Sequence, residues 1–141
     1  GRAHDESLTV WGFGGFDNEA AMRWVEGLED AADHELLEAT LDAVIELDEE
    51  GDVPVASPSA HALAAAETVA TLADRPARQL PEEVRQWCFD TPALPSDVRF
   101  KAVQALGVIL TDSWFLRHFE ERGERDDWEA EIEDLRDRLR S

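Results

Sequence analysis

Apolar residues recur at intervals of three and four along most of the chain, and almost no stretch alternates with the two-residue period of a strand. Ala21, Trp24, Val25 and Leu28 fall on one face of a first helix. Asp17 is placed to cap that helix, because its carboxylate can accept the free amide hydrogens of the opening turn. The pattern predicts an all-α fold.

A second helix is predicted from about Asp33, and it ends in an acidic turn. Its apolar stripe comprises Leu37, Leu41, Val44 and Ile45. The turn that follows contains Asp48, Glu49, Glu50 and Asp52 around Gly51, and its charge predicts that it lies in solvent.

An alanine-rich helix over residues 58–73 is predicted to lie at the centre of the fold. Ser57 is expected at its N-cap and Pro58 at its first position. Glu67 is the one charged residue before Asp74. A helix that is apolar nearly all round must be surrounded by protein, and its alanines allow close approach of its neighbours.

Four more helices are predicted in the second half of the chain. One begins at Pro81, and Ser96 is expected to cap the next. The inward row of that helix is Phe100, Val103, Leu106 and Leu110, widened by Ala102, Val108 and Ile109. Ser113 is expected to cap a sixth helix that closes at Gly123. The last carries Trp128, Ile132, Leu135 and Leu139 at helical spacing.

These elements predict a single domain of about seven helices over residues 8–141, with 58–73 and 97–111 central. Residues 1–7 show no periodicity and are interpreted as a disordered leader or a remnant of expression. The chain of 141 residues suits one hydrophobic core. A lone cysteine, Cys88, and the lack of any long apolar run indicate a soluble cytoplasmic protein without membrane contact.

Charge changes this picture more than any other part of the composition. The net charge is -20, with one lysine and twelve arginines. Residues 1–52 hold sixteen acidic against two basic residues, a net charge of -14. Such a chain does not bind nucleic acid through a basic patch. The acidity indicates either adaptation to high salt or an acidic face that docks a basic partner or imitates a nucleic acid backbone.

The segment WGFGGFDN at residues 11–18 has two possible interpretations. A phosphate-binding loop needs a strand before its glycines and free amide hydrogens after them. Here no lysine follows, and Asp17 and Glu19 would repel a phosphate. The favoured interpretation is structural: the glycines allow a tight turn while Trp11, Phe13 and Phe16 anchor the segment on the helices.

The stretch VWGFGGFDNEAAMRW resembles the opening of a bacterial family catalogued as domain of unknown function 4259. The similarity continues at PVASPSAHALAAAETVA, LPEEVRQW and ERGERDDWEAEIEDLRDRL, so it covers nearly all of the chain from Trp11 onward. The resemblance implies a helical domain and supplies no activity.

Two groups of residues suggest catalytic or metal chemistry, and each has a simpler explanation. His34, Glu35 and Glu38 approximate a zinc helix but lack its second histidine. Ser113 and His118 suggest a hydrolase, yet an N-cap role suits that serine better. The histidines are otherwise scattered, and we nominate no catalytic, cofactor-binding or metal-binding residue.

The sixth helix carries more aromatic residues than one core contact requires. It is either sandwiched inside the protein or forms a patch for a partner or for self-association. The leading hypothesis is a non-enzymatic, acidic protein-interaction domain; the alternative is a hydrolase or metal-dependent enzyme with a carboxylate-lined cleft. The candidate interaction residues are Trp114, Phe115, Phe119, Asp48, Glu49, Glu50 and Asp52.

Overall fold

Seven helices make up the fold in residues 8–92 and 94–140, which are the residues that the computed structural model describes. They are α1 (Glu19–Glu29), α2 (Glu35–Glu49), α3 (Ala56–Leu72), α4 (Glu82–Asp90), α5 (Ser96–Thr111), α6 (Trp114–Glu121) and α7 (Arg125–Arg140). Within those residues the extended backbone pairs only in an isolated antiparallel bridge between Val10 and Asn18. The predicted all-α domain is confirmed; the predicted leader at 1–7 lies outside the described residues.

The alanine-rich α3 is the central helix, as predicted, and it packs against all six others. Twelve of its residues are buried, including Leu63, Glu67 and Val69. Its alanines allow neighbouring helices to pack closely, since a small methyl side chain permits a short distance between helix axes. The second central helix is α5, which packs against α2, α3, α6 and α7.

The inward face of α5 is rotated from the predicted one. Phe100 was expected in the core but is 69 % exposed, and the buried positions are Val98, Ala102, Ala105, Leu106 and Ile109. Leu106 is buried as predicted, and so are Ala102 and Ile109, which were expected to widen the row. The face is centred on these positions rather than on Phe100, because α5 lies close to α3 and small residues fit that contact.

Helix capping departs from the prediction at three helices and agrees with it at one. Asn18, not Asp17, caps α1 by accepting the amide hydrogen of Ala21 at 2.8 Å. Residues 55 and 95 precede α3 and α5, so Ser57 and Ser96 lie inside those helices rather than at their caps. Ser113 caps α6 as predicted, accepting from Leu116 at 3.2 Å.

The remaining predictions for the second half are confirmed. Gly123 ends α6 with a φ of 72°, a left-handed conformation that favours glycine. All four predicted residues of the last stripe, Trp128, Ile132, Leu135 and Leu139, are buried. No helix in residues 8–92 and 94–140 combines the length and the apolar character that crossing a membrane requires.

Candidate functional site

The segment that follows the acidic turn and the sixth helix meet at one groove. The amide of Trp114, the first residue of α6, donates a hydrogen bond of 2.9 Å to the carbonyl oxygen of Pro54. This bond holds the segment between α2 and α3 against the start of α6. The result is a groove of about 430 Å³, which we call the valine–tryptophan groove, walled by Val53, Pro54 and Val55 on one side and by α6 on the other.

Helix α6 divides its residues between two faces. Phe115, Leu116 and Phe119 point into the core and are at most 5 % exposed. The opposite face lines the groove with residues at intervals of three and four, which are Trp114, Arg117, His118 and Glu121. The expectation that Phe115 and Phe119 belong to an exposed surface is therefore wrong, because helical spacing turns both rings inward.

Trp114 is the aromatic residue of the predicted surface that does reach the groove. It is half-buried, and its ring stacks on that of His118 with centroids 4.6 Å apart. Burial, and then the charge of Arg122, lower the pKa of His118. A neutral imidazole stacked on an indole gives the groove a flat aromatic floor.

The other wall of the groove is an extended, apolar segment. Val53 is 39 % and Val55 is 44 % exposed, while Pro54 between them is buried. A residue before proline is restricted to extended conformations, and Val55 is itself extended with φ -82° and ψ -177°. Successive side chains therefore point to opposite sides, which leaves both valines facing out.

Acidic residues lie beside this groove. Asp48, Glu49, Glu50 and Asp52 are all exposed, as predicted, although Asp48 and Glu49 belong to the last turn of α2 rather than to the turn that follows it. Glu121 lines the groove and is exposed. Arg117, the groove's one cation among the described residues, is bound to Asp112 at 2.8 and 2.5 Å, and that hydrogen bonding lowers the pKa of Asp112.

A second concavity lies at the glycine segment. This cleft has a volume of about 660 Å³ and runs between residues 13–17, residues 76–79 and α7. Glu67 lies at its floor, where its side chain is 4 % exposed. Arg138 of α7 binds both carboxylate oxygens of Glu67, at 3.0 and 3.1 Å. Burial raises the pKa of Glu67 despite the hydrogen bonds and the positive charge of Arg138.

Arg138 donates hydrogen bonds to three residues at this cleft. Besides Glu67 it donates to a carboxylate oxygen of Asp134 at 2.9 Å and to the carbonyl oxygen of Arg75 at 3.0 Å. The pair thus joins α3, α7 and the chain that follows α3. Its hydrogen bonds are directed at protein groups, which is typical of a structural ion pair.

Gly15 lies against the backbone of Leu63, while Gly12 and Gly14 lie against the side chain of Asp17. Asp17 folds back and accepts the amide hydrogen of Gly14 at 3.0 Å. A Cβ on Gly12 or Gly14 would stand within 2.9 Å of the Asp17 carboxylate, and one on Gly15 would stand 3.0 Å from the Leu63 carbonyl oxygen. An acid therefore occupies the Gly14 amide, which is one of those that a phosphate would need.

The aromatic residues of this segment are only partly anchored. Phe16 is buried, and Phe13 packs edge-on against Phe119 with centroids 5.2 Å apart. Trp11, however, is 60 % exposed, so its predicted anchoring role is wrong. Val10 pairs with Asn18 and turns toward the core, and the next side chain in an extended chain points the other way.

The weaker catalytic and metal candidates are dispersed. His34 lies 3.8 Å from Glu38, which also pairs with Lys101. Ser113 is buried as a helix cap, and His118 stacks on Trp114. In the described ranges, no three histidine, cysteine or acidic residues are grouped so that they could hold a metal ion. Burial raises the pKa of the Cys88 thiol to about 12.

Two features of these concavities escaped sequence analysis. The Glu67–Arg138 pair had one signal, a single charged residue in an otherwise apolar helix. The exposed valine wall had another, a Val-Pro-Val sequence directly after an acidic turn. Neither signal identifies the residue on the opposite wall of its concavity, because that residue is distant in the chain.

Comparison with known proteins adds a family and no activity. No curated protein and no solved structure matches this chain. The sequence profile of the family described as Domain of unknown function (DUF4259) matches residues 9–131. This range includes the glycine segment, the valine–tryptophan groove and the start of α7, whereas Asp134 and Arg138 of the cleft lie beyond it. The chain therefore belongs to the DUF4259 family.

Proposed function

We propose that this chain is a non-enzymatic, acidic interaction domain whose partner is another protein with basic side chains. The hydrogen bond between Trp114 and Pro54 carries the proposal, because it brings two exposed valines and an aromatic floor together in one groove, which begins directly after the acidic turn. Apolar surface edged by charge of one sign is typical of a protein interface.

The chemistry of the groove suits arginine or lysine side chains. Their aliphatic stems cover apolar surface such as Val53 and Val55, while their charged ends stay near water. Glu121 and the acidic turn lie where those charged ends would be. An arginine can also stack on an aromatic face such as that of Trp114.

A basic partner is favoured over a second copy of this chain. Two copies meeting at this groove would bring two acidic turns together, and each copy carries a net charge of -20. The repulsion between two negative surfaces suppresses self-association, whereas the same negative charge speeds the approach of a cation. Nucleic acid is disfavoured for the same reason, since its phosphates are negative.

Binding of a defined peptide tests the proposal. The probe is an end-capped peptide of seven residues in which four arginines alternate with three threonines, and its control replaces every arginine by glutamate. Calorimetry at low salt should detect binding of the arginine peptide only, and Trp114→Ala should weaken it about fivefold.

Matched charge variants separate the groove from general electrostatic attraction. Glu49→Gln with Glu50→Gln should weaken binding, whereas Glu82→Gln with Glu83→Gln, on the exposed start of α4, should leave it nearly unchanged. Both double variants have the same net charge. Equal losses in the two, or no binding to the wild-type protein, would contradict the proposal.

Adaptation to high salt is a second proposed source of the acidity. A carboxylate-rich, lysine-poor surface repels itself at low ionic strength, and added salt screens that repulsion. A melting temperature that rises steeply with KCl would support this origin. A flat response would count against it and would favour acidity that serves partner binding.

The alternative function, a hydrolase or metal-dependent enzyme, finds one supporting observation in the cleft at the glycine segment. A buried carboxyl with a raised pKa in a concave site is a feature of catalytic acids. Against this, both oxygens of Glu67 are bound by Arg138. Turnover of chromogenic esters or phosphates, with or without Mg²⁺ or Zn²⁺, that Glu67→Gln abolishes would favour the enzyme.

A cytoplasmic location is part of the same proposal. Cys88 is a free, half-buried thiol whose raised pKa suppresses the reactive thiolate. A reducing compartment suits such a cysteine. Fractionation of the source cells with an antibody to this chain tests the location.

A further inference from the structure

We propose that the partner binds as an extended strand along residues 52–55, adding itself to the open edge of this segment and laying arginines over the two valines. This inference rests on the proposed function and specifies how the basic partner docks. Recognition by strand addition uses backbone hydrogen bonds for affinity and alternate side chains for specificity.

The open edge is visible in the hydrogen bonds of the segment. None of the hydrogen bonds among residues 8–92 and 94–140 uses the amide hydrogen or the carbonyl oxygen of Val53, or the amide hydrogen of Val55. Backbone groups of this kind are usually paired in folded proteins, with protein or with water. A row of unpaired groups on an extended chain is a template for another strand.

Geometry directs these free groups away from the helices. The carbonyl oxygen of Pro54 accepts from Trp114 on the side of α6. In an extended chain, successive residues present their backbone groups in opposite directions. The amide and carbonyl of Val53 therefore face the other side, where a partner chain can accept and donate in turn.

Side chains of such a strand would repeat every second residue. Val53 and Val55 share one face and are separated by the same interval. An arginine on the partner that crosses these valines extends toward Trp114 and Glu121 in the groove beyond them. The acidic turn ends at Asp52, so arginines further along the strand meet its carboxylates.

A docked helix fits these observations less well. A helix satisfies its own backbone groups, so it would cover Val53 and leave its amide and carbonyl without partners. A second copy of the segment could pair edge to edge, yet its own acidic turn would then lie against this one. The observations favour one occupant, an extended partner segment with arginines at alternate positions.

Two isomeric peptides test the spacing. The alternating peptide of four arginines and three threonines is compared with an isomer that has two adjacent arginines at each end and three threonines between them. Charge and composition are identical. The alternating peptide should bind the wild-type chain about tenfold more tightly, because only its arginines share one face.

Two variants at one position test the backbone bond. Val53→Pro keeps an apolar residue and an extended conformation but removes the amide hydrogen. This variant should bind the alternating peptide about fivefold more weakly than the wild type does. Val53→Thr keeps the amide and a branched side chain, and it should bind nearly as the wild type does. Circular dichroism and melting confirm that both variants fold.

Hydrogen exchange measures the hydrogen bond of the Val53 amide without any substitution. In the free protein the Val53 amide lacks an acceptor within the described residues, so its exchange should be rapid, and saturation with the alternating peptide should slow it at least tenfold. An amide of the same segment that is already bonded, that of Asp52, donates to Leu47 at 2.8 Å and serves as the internal control.

The outcomes separate the two proposals. If neither arginine peptide binds better than the glutamate control, the interaction function fails and this inference fails with it. If both isomers bind equally, Val53→Pro binds as the wild type does and Val53 exchange stays rapid, the strand mode alone is overturned. Oligomers of the wild-type chain at low salt, measured by light scattering, would assign the edge to a second copy instead.

Discussion

The two concavities of this molecule treat their polar groups in opposite ways. In the cleft at the glycine segment, Glu67 and Arg138 bind each other, and Asp17 binds the Gly14 amide. In the valine–tryptophan groove, no hydrogen bond within the described part of the chain uses the backbone groups of Val53, and its side chain is exposed. The polar groups of the larger concavity are bound to other protein groups, whereas those of the smaller one are available to a partner.

This contrast separates stability from recognition. A buried, mutually satisfied pair constrains how the helices pack, and disturbing it destabilises the folded protein. An exposed apolar edge adds little to folding, so its residues are free to serve a partner. Substitutions at the cleft should therefore cost stability, and substitutions at the groove should change binding.

The largest effect is expected for Arg138→Met, which leaves Glu67 buried without its partner. We expect unfolding free energy to fall by about 3 kcal/mol, the scale for breaking a buried ion pair. Urea denaturation measures the loss. The double variant Glu67→Met with Arg138→Met should regain most of it, because apolar groups of similar volume need no ion partner.

The pH dependence of that variant has a defined sign. Burial raises the pKa of Glu67 in the folded protein, so between the unfolded and folded values the folded state binds more protons. Stability from this group is highest at low pH and declines as pH rises. Removing Arg138 raises the folded pKa further, so the deficit of Arg138→Met should be smaller at pH 5 than at pH 8. A deficit that grows on acidification would contradict this account.

Gly15→Ala tests the other wall of the cleft. The added Cβ would stand 2.9 Å from Glu67 Cγ and 3.0 Å from the Leu63 carbonyl oxygen, and that backbone cannot move aside. We expect a loss of about 2 kcal/mol in urea unfolding, typical of overpacking. Gly27→Ala is the matched control: no atom lies within 4 Å of its new Cβ, and alanine should stabilise α1 by about 0.5 kcal/mol.

Sequence periodicity predicted the helices because burial imposes a repeat of 3.6 residues on every packed helix. It failed where side-chain size and burial disagree, as at Phe100, which is large but exposed, and at Ala105, which is small but buried. Helix ends failed for another reason. Serine suits both a cap and a first turn, so Ser57 and Ser113 look alike in sequence while only Ser113 accepts a capping bond.

The candidate site was half predicted for a similar reason. Exposed acids are recognisable from composition, and Asp48 to Asp52 lie in solvent as expected. The aromatic half required knowing which face of α6 meets the core, and a helix with aromatic residues on both faces does not reveal it. Contact between Pro54 and Trp114 joins residues 60 positions apart, which no local pattern encodes.

Ser113→Ala should lower stability by about 1 kcal/mol, since the buried amide of Leu116 loses its acceptor. Ser57→Ala is the control, because this exposed serine makes no capping bond and should change stability by less than about 0.5 kcal/mol. Chemical denaturation compares the two. Equal effects would mean that Ser113 does not set the start of α6, and hence does not hold Trp114 beside Pro54.

The smallest effect on stability, and the sharpest on the comparison, is expected for Val55→Ser. Val55 occupies the N-cap of α3, an extended position at which serine is preferred and valine forms no capping bond. A serine there can accept the amide hydrogen of Ser57, so unfolding free energy should rise by about 0.5 kcal/mol.

Binding of the alternating arginine peptide should move in the opposite direction, because the variant removes half of the exposed valine wall. Val55→Thr is the matched control, since it can cap the helix while keeping one methyl group on the wall. A chain that becomes more stable while it binds more weakly would show that valine at this cap serves recognition rather than folding. Unchanged peptide binding in a stabilised variant would remove the valine wall from the interface and leave the contrast between the two concavities without its functional half.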